Sequence, residues 1–195
     1  MSSLIVGDDG RARCAWAGND AEYQRYHDEE WGTPLHGDRP LFEKLSLEGF
    51  QAGLSWITIL RRRPTFRVAF RDFDIDVVAA FDDRDVERLM ADPGIIRNRL
   101  KIDATISNAR VTRQLISGHP GALDELIWSF APPPRDHALA SFAELPAVTP
   151  ESTALSKALK KLGYRFVGPT TIYAMMQSGG LVDDHVAGCF KSSFA

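Results

Sequence analysis

The sequence predicts an all-α protein. Apolar residues recur at helical spacing in one segment after another, capping residues and prolines punctuate those segments, and no continuous alternating pattern competes as a strand. With 195 residues, 44% of them hydrophobic and 25% charged, the chain is long enough for one compact domain or two small lobes on a shared core. It is too apolar for a disordered protein.

Residues 1–12 read as a flexible N-terminal extension, 13–190 as a compact helical domain with room for two lobes, and 191–195 as a C-terminal tail. Over 39–62, Leu41, Phe42, Leu45, Phe50, Leu54 and Ile57 fall at mostly helical spacing, with Gly49 and Gly53 allowing a close contact or a bend. Pro64 marks a stop or turn. Two short helices are expected next: Val77 to Phe81 behind Asp74 or Asp76, and Arg84 to Met90 behind Asp82 or Asp83. Asp92-Pro93-Gly94 ends the second. A longer helix from Asn98 to Ile116 sets Ile102, Ile106, Ala109 and Arg113 along one side. A helix from Leu123 to Phe130 stops before Pro132-Pro133-Pro134, which leads a surface loop through Ser141 with no sign of chemistry. After Thr149-Pro150, Leu155, Ala158, Leu159 and Leu162 make a short amphipathic helix, and Pro169 to Gln177 a second.

The formal net charge of −3 argues against a protein that coats nucleic acid through bulk charge, while leaving room for a local basic face. There is neither a signal-peptide pattern nor an apolar run of roughly 20 residues, so the expectation is a cytoplasmic protein without a membrane partner. Cys14 and Cys189 are too few for a disulfide framework, and a reducing compartment disfavours even one bridge.

Three groups of residues carry possible chemistry. His185 and Cys189 stand at i and i+4, facing one way on a helix, and Cys14 and His27 complete a Cys2His2 set that suits a closed, tetrahedral zinc site. Buried cysteines with core or surface histidines, or a redox pair, are the alternatives. Trp16, Tyr23, Tyr26, Trp31 and Trp56 surround Glu48 in sequence; they either build a core or offer stacking faces to a flipped base, with Glu48 accepting a base amino hydrogen or simply lying on a solvated helix face. Between two helical patterns, Gly163 and Gly168 bracket a tight hairpin whose amides can face a phosphate, with Lys157, Lys160, Lys161 and Arg165 beside it; a plain helix connection fits the spacing equally well. Arg97, Arg99, Lys101, Arg110 and Arg113 form a second basic candidate, either a DNA-facing or a merely solvated helix face.

Four stretches together resemble the bacterial 3-methyladenine DNA glycosylases of the constitutive type, within the helix-hairpin-helix glycosylase superfamily. They are Arg13-Cys14-Ala15-Trp16, Tyr26-His27-Asp28-Glu29-Glu30-Trp31-Gly32, Leu47 to Trp56, and Phe166-Val167-Gly168-Pro169-Thr170 with Asp184-His185-Val186 after it. The resemblance runs from about Arg13 to Cys189. It implies a helix-hairpin-helix fold, structural zinc held by Cys14, His27, His185 and Cys189 that joins the terminal regions, and a base pocket of Trp16, Tyr23, Tyr26, Glu48 and Trp56. The implied activity is hydrolysis of the N-glycosidic bond of 3-methyladenine in alkylated double-stranded DNA by a monomer, without a lyase step. The methylated purine is flipped out of the helix and, being cationic, leaves as a neutral base. Related glycosylases use an aspartate near the place of Asp183, which makes Asp183 a candidate carboxylate. A zinc-stabilised DNA- or protein-binding module, or a glycosylase for another purine lesion, are the competing readings.

Overall fold

A computed structural model describes residues 2–194. Among them, nine α-helices surround one large apolar core, and a short antiparallel ribbon closes one side. The ribbon pairs β1 (Leu4–Val6) with β2 (Ala12–Cys14), Leu4 opposite Cys14. It lies in a region for which the sequence pattern suggested no strand; three-residue strands are too short to show a period. The ribbon is fastened to the far end of the chain, where the Phe190 amide donates to the Ala12 carbonyl over 2.8 Å.

Helix α1 (Ala21–Glu29) starts at Asp20, whose carboxylate accepts the Tyr23 amide. The apolar pattern over 39–62 divides into α2 (Asp38–Gln51) and α3 (Trp56–Ala69), separated by a corner at 52–55 with Gly53 at φ +84. Gly49 serves a different purpose. A Cβ there would lie 3.4 Å from the Phe166 Cβ, so α2 passes close against the later hairpin. Pro64, expected to stop the helix, lies inside α3. Burial of Ile59, Leu60, Phe66 and Ala69 outweighs its missing hydrogen bond, since each large apolar side chain contributes about 1.5–3 kcal/mol.

Helices α4 (Ile75–Ala79) and α5 (Asp83–Ala91) begin at Asp74 and Asp82, the latter in a capping box with Asp85. Helix α6 (Arg99–Ile116), capped by Asn98, buries Ile102, Thr105, Ile106, Asn108, Ala109 and Thr112. Arg113, expected on that stripe, is exposed, and the buried place falls to Thr112, whose hydroxyl bonds the Tyr164 hydroxyl at 2.7 Å. Helix α7 (Ala122–Trp128) precedes the proline-led loop. Helices α8 (Pro150–Leu162) and α9 (Pro169–Ser178) flank the helix-hairpin-helix turn. Gly163 at φ +101 ends α8 in the left-handed conformation that glycine adopts without a Cβ clash, and Pro169 opens α9 where no amide is needed.

No helix among the described residues is long and apolar enough to cross a membrane.

Candidate base pocket and metal cluster

The corner between α2 and α3 opens onto a cavity of about 240 Å³ lined by Trp16, Tyr23, Tyr26, Trp31, Glu48 and Trp56, all six singled out from the sequence. Local structure explains the convergence. Trp16 sits in a single turn, Ala15–Ala17, directly after β2. Tyr23 and Tyr26, three residues apart on α1, share a face. Glu48 projects from α2, and Trp56 starts α3 behind the corner. The rings meet one another: Trp16 lies edge-on to Tyr23 at 5.0 Å and to Trp31 at 5.1 Å, and Tyr26 is 5.5 Å from Trp56. Such contacts hold a wall rigid and add about 0.5–1.5 kcal/mol per pair.

Glu48 is only 3% exposed, far from the solvated surface residue that a lone helical glutamate would be. Its Oε1 accepts the Ser178 hydroxyl at 2.9 Å. Burial pushes its carboxyl up to about 7, against the opposing pull of Lys44 and Ser178. Lys44, one turn earlier on α2, is itself buried; its ammonium lies 5.3 Å over the Tyr26 ring and 5.2 Å over that of Trp56. Burial lowers the Lys44 pKa, while Glu48 and Glu30 raise it. The cavity thus presents aromatic faces around one desolvated carboxyl.

Gln51, Phe142, Leu145, Ala174, Gln177 and Ser178 also line the cavity and escaped the sequence reading. Phe142 and Leu145 lie just beyond the proline-led loop that the sequence pattern carries through Ser141, in a stretch for which the sequence suggested nothing. The segment is tied down where the Ala187 amide donates to the Leu139 carbonyl at 2.8 Å, a pairing with no local sequence signal. Gln177 and Ser178 close α9, and only helical phase relative to the core could have pointed to them.

Behind the aromatic wall lies the second cluster. The ligating atoms of buried Cys14, His27 and Cys189 all fall within 4.8 Å of one another, so these residues can hold a metal ion and link the two ends of the chain. His185 packs beside them, its ring 5.2 Å from that of His27. Residues 185–189 are not helical as the i, i+4 spacing suggested; a turn from Val186, with Gly188 at φ +84, brings His185 and Cys189 together.

The donor set fits a metal. His27 has its Nδ1 2.8 Å from Asp28, His185 its Nδ1 2.8 Å from Asp183, and the buried His185 Nε2 has no partner. A carboxylate behind each imidazole fixes the ring and leaves Nε2 as the donor. The Cys14 thiol, with help from His27, holds the Cys189 thiol below its usual range despite the opposing effect of burial, while Cys14 is pushed well up.

Asp183 lies outside the cavity lining. Burial alone would raise its carboxyl, but bonds from His185 and Ser193 outweigh that and hold it well below the usual range. Both its oxygens are engaged, Oδ1 by the His185 amide and Oδ2 by the Ser193 amide at 2.9 Å. Asp184 is fully buried, accepting from Tyr173 and Gln177 at 2.7 Å each and pairing with Arg135.

In the hairpin, Gly163, Lys160, Lys161 and Arg165 are exposed, as is Lys157; Gly168 is half-buried. The second basic candidate divides. Arg97, Arg99, Arg110 and Arg113 are exposed, but Lys101 is buried and donates to the Phe50 and Ala52 carbonyls, and the Arg110 guanidinium is tied to the Ala79 and Phe81 carbonyls.

The family described as methyladenine glycosylase matches residues 16–192. The DNA-3-methyladenine glycosylase 1 of Escherichia coli K12 is 49% identical over 178 residues, covering 91% of this chain and 95% of that one. A crystal structure of a 3-methyladenine DNA glycosylase I superposes with a TM-score of 0.89 at 48% identity, covering 92% of this chain and 99% of the other. A variant of such an enzyme, solved in complex with 3-methyladenine, superposes with a TM-score of 0.86 at 34% identity and covers 92% and 97%.

Proposed function

The chain belongs to the methyladenine glycosylase family, and we propose that it is a monofunctional 3-methyladenine DNA glycosylase that holds the damaged base in the cavity around Glu48. The observation that carries this reading is a buried carboxyl, Glu48, among edge-on and tilted aromatic rings in a space below the ~300 Å³ of drug-sized pockets, suited to a single base.

A purine methylated at N3 within DNA is cationic. Its ring attracts aromatic faces more strongly than a normal base does, and an ionised Glu48 opposes its charge and accepts a hydrogen from its amino group. When the N-glycosidic bond breaks, its electron pair passes to the purine, which leaves neutral; the sugar carries oxocarbenium character until water adds at C1′ and loses a proton. No strong acid is needed to protonate the leaving base. Trp16, Tyr23, Tyr26 and Trp56 supply the stacking faces, and Ser178 steadies the Glu48 carboxylate.

The Gly163–Gly168 hairpin, with Lys160, Lys161 and Arg165, faces the phosphates of damaged double-stranded DNA and positions it without reading its sequence. The metal is a structural zinc ion bound by Cys14, His27, His185 and Cys189, two thiolates and two imidazoles that leave no coordination place for a reactive water. Asp183 and Asp28 orient the two histidines, which gives Asp183 a supporting instead of a catalytic role. The protein acts as a monomer.

Single-turnover release of base from methylated DNA tests the reading, with product identification and a check that the backbone stays intact. Free 3-methyladenine is the expected product. Release of a different purine lesion instead would reassign the pocket, and no release at all would leave a zinc-stabilised binding module.

A further inference from the structure

Helix α6 carries two buried polar side chains that bond to backbone outside their own helix, one to the corner beside the base cavity and the other to the hairpin. Lys101, 8% exposed, donates to the Phe50 carbonyl at 2.7 Å and to the Ala52 carbonyl at 2.6 Å. Ala52 is the C-cap of α2, so the ammonium closes the negative end of the helix that bears Glu48 and pins the corner leading to Trp56. Asn108, 5% exposed, donates from Nδ2 to the Arg165 carbonyl at 3.0 Å and accepts the Arg165 amide on Oδ1 at 2.8 Å. Its amide grips the hairpin backbone as a neighbouring strand would. Seven residues along one helix place the two side chains on the same face, about 10 Å apart.

Burying an ammonium is unfavourable, and a position that only filled space between α6 and α2 would be served better by leucine or methionine. The polar identities therefore need another reason. The target backbones supply it: one is the corner joining the two walls of the base cavity, the other the loop that faces phosphate. Gly49 passing against Phe166 shows that the last turn of α2, just before the corner, abuts the hairpin, with α6 bonded to both.

We propose that Lys101 and Asn108 are positioning residues, and that α6 is a rail fixing the distance between the base-holding corner and the phosphate-facing hairpin. The proposal rests on the pocket and hairpin assignments above. Extracting a base into a cavity requires the backbone on either side to be held at one separation from it, and a misplacement of about 1 Å can cost a hundredfold in rate.

The test compares Lys101→Met, Asn108→Ala and the double variant with the unaltered protein. Free 3-methyladenine binding is read by quenching of the pocket tryptophans, and base release by single-turnover assay on methylated duplex DNA at 25 °C. Asn108→Ala should bind the free base within about twofold of the unaltered protein but need about tenfold more enzyme for half-maximal release; Lys101→Met should lose about tenfold in the maximal rate. Because either change breaks the same rail, the ratio of maximal rate to half-saturating enzyme should fall in the double variant by about as much as in the worse single one, far less than the product of the two losses in that ratio. Multiplying losses, or lowered melting temperatures with undiminished release at 25 °C, would overturn the rail and leave two ordinary scaffold contacts. Failure of the unaltered chain to release any base would instead overturn the assignments on which the rail rests. Should Asn108→Ala fail to fold, amide exchange of Arg165 in the unaltered protein reads the clamp directly. Strong protection is expected, and exchange at a free-peptide rate would refute the clamp.

Discussion

Replacing Glu48 with glutamine should stabilise the fold at neutral and higher pH while weakening capture of the methylated base. Burial holds the Glu48 carboxyl at about 7 against an ordinary value of 4.5, a difference worth about 3 kcal/mol. The sign follows from proton counting. Between these two values the folded state keeps a proton that the unfolded chain has released, so stability falls as pH rises from about 4.5 to 7, and the full cost persists above. Glutamine is neutral throughout, so the variant should gain relative to the parent across that window and level off above it. The ceiling is about 3 kcal/mol, or up to about 10 °C in melting temperature for a chain of this length. The loss of a counter-charge for buried Lys44 will reduce the gain. Thermal unfolding in steps from pH 4.5 to 8.5, beside a titration with 3-methyladenine, measures both sides. A stability difference that is flat with pH, or that favours the parent more at pH 8 than at pH 5, would refute the desolvated carboxyl. Normal capture of the base by the variant, with single-turnover chemistry lost, would instead make Glu48 an acid or base and not a recognition group.

The other walls and contacts are testable separately. Trp56→Ala should weaken base capture by about 1–3 kcal/mol by deleting a stacking face, read by the same titration. Gly168→Glu should weaken binding to unrelated DNA sequences by a similar factor, in a salt-dependent manner, with metal content unchanged; Gly168 has an ordinary φ of −63° and open space where a Cβ would go, so the free fold should tolerate it. Metal analysis with zinc-edge absorption should find one zinc with two sulfur neighbours, and an open water position would contradict the closed site. Asp183→Ala should lower metal affinity about 10- to 100-fold by freeing the His185 ring, measured by competition with a chelator; an abolished cleavage step in the metal-loaded variant would restore Asp183 as a catalytic candidate.

What was legible in the sequence is what local rules write into it. Caps such as Asp74, Asp82, Asn98 and Thr149 announce their helices, because an unpaired amide at a helix start needs a nearby acceptor. The aromatic residues flanking Glu48 were visible as a group, but their convergence was not; core and pocket draw on the same residue types, and only tertiary packing separates them. The four-residue spacing of His185 and Cys189 pointed to the right neighbours through the wrong geometry, since a turn with Gly188 at positive φ brings them together as well as a helix would. Lys101 was misread because a basic residue on an amphipathic helix normally faces water, and the carbonyls it serves lie some 50 residues away in sequence. Phe142 and Leu145 left no trace, since their loop is placed by backbone bonding to Val186 and Ala187 and not by any pattern of its own.

The metal cluster and the base cavity are two sides of one wall. Tyr26 and His27 are consecutive on α1, one ring directed to the cavity and the other to the cluster. Cys14 and Trp16 divide in the same way across the turn after β2, and Trp31, a cavity residue, meets His185 edge-on at 4.6 Å. None of Cys14, His27, His185 or Cys189 lines the cavity itself. Under the zinc site proposed above, the metal would act on the cavity by stiffening it: fixing His27 and His185 would fix the rings of Trp16 and Trp31 that pack on them at 5.3 and 4.6 Å. That division suits the chemistry. A cationic base needs rigid aromatic faces and one well-placed carboxylate more than an activated water, so a metal contributes most where it holds the wall instead of touching the sugar.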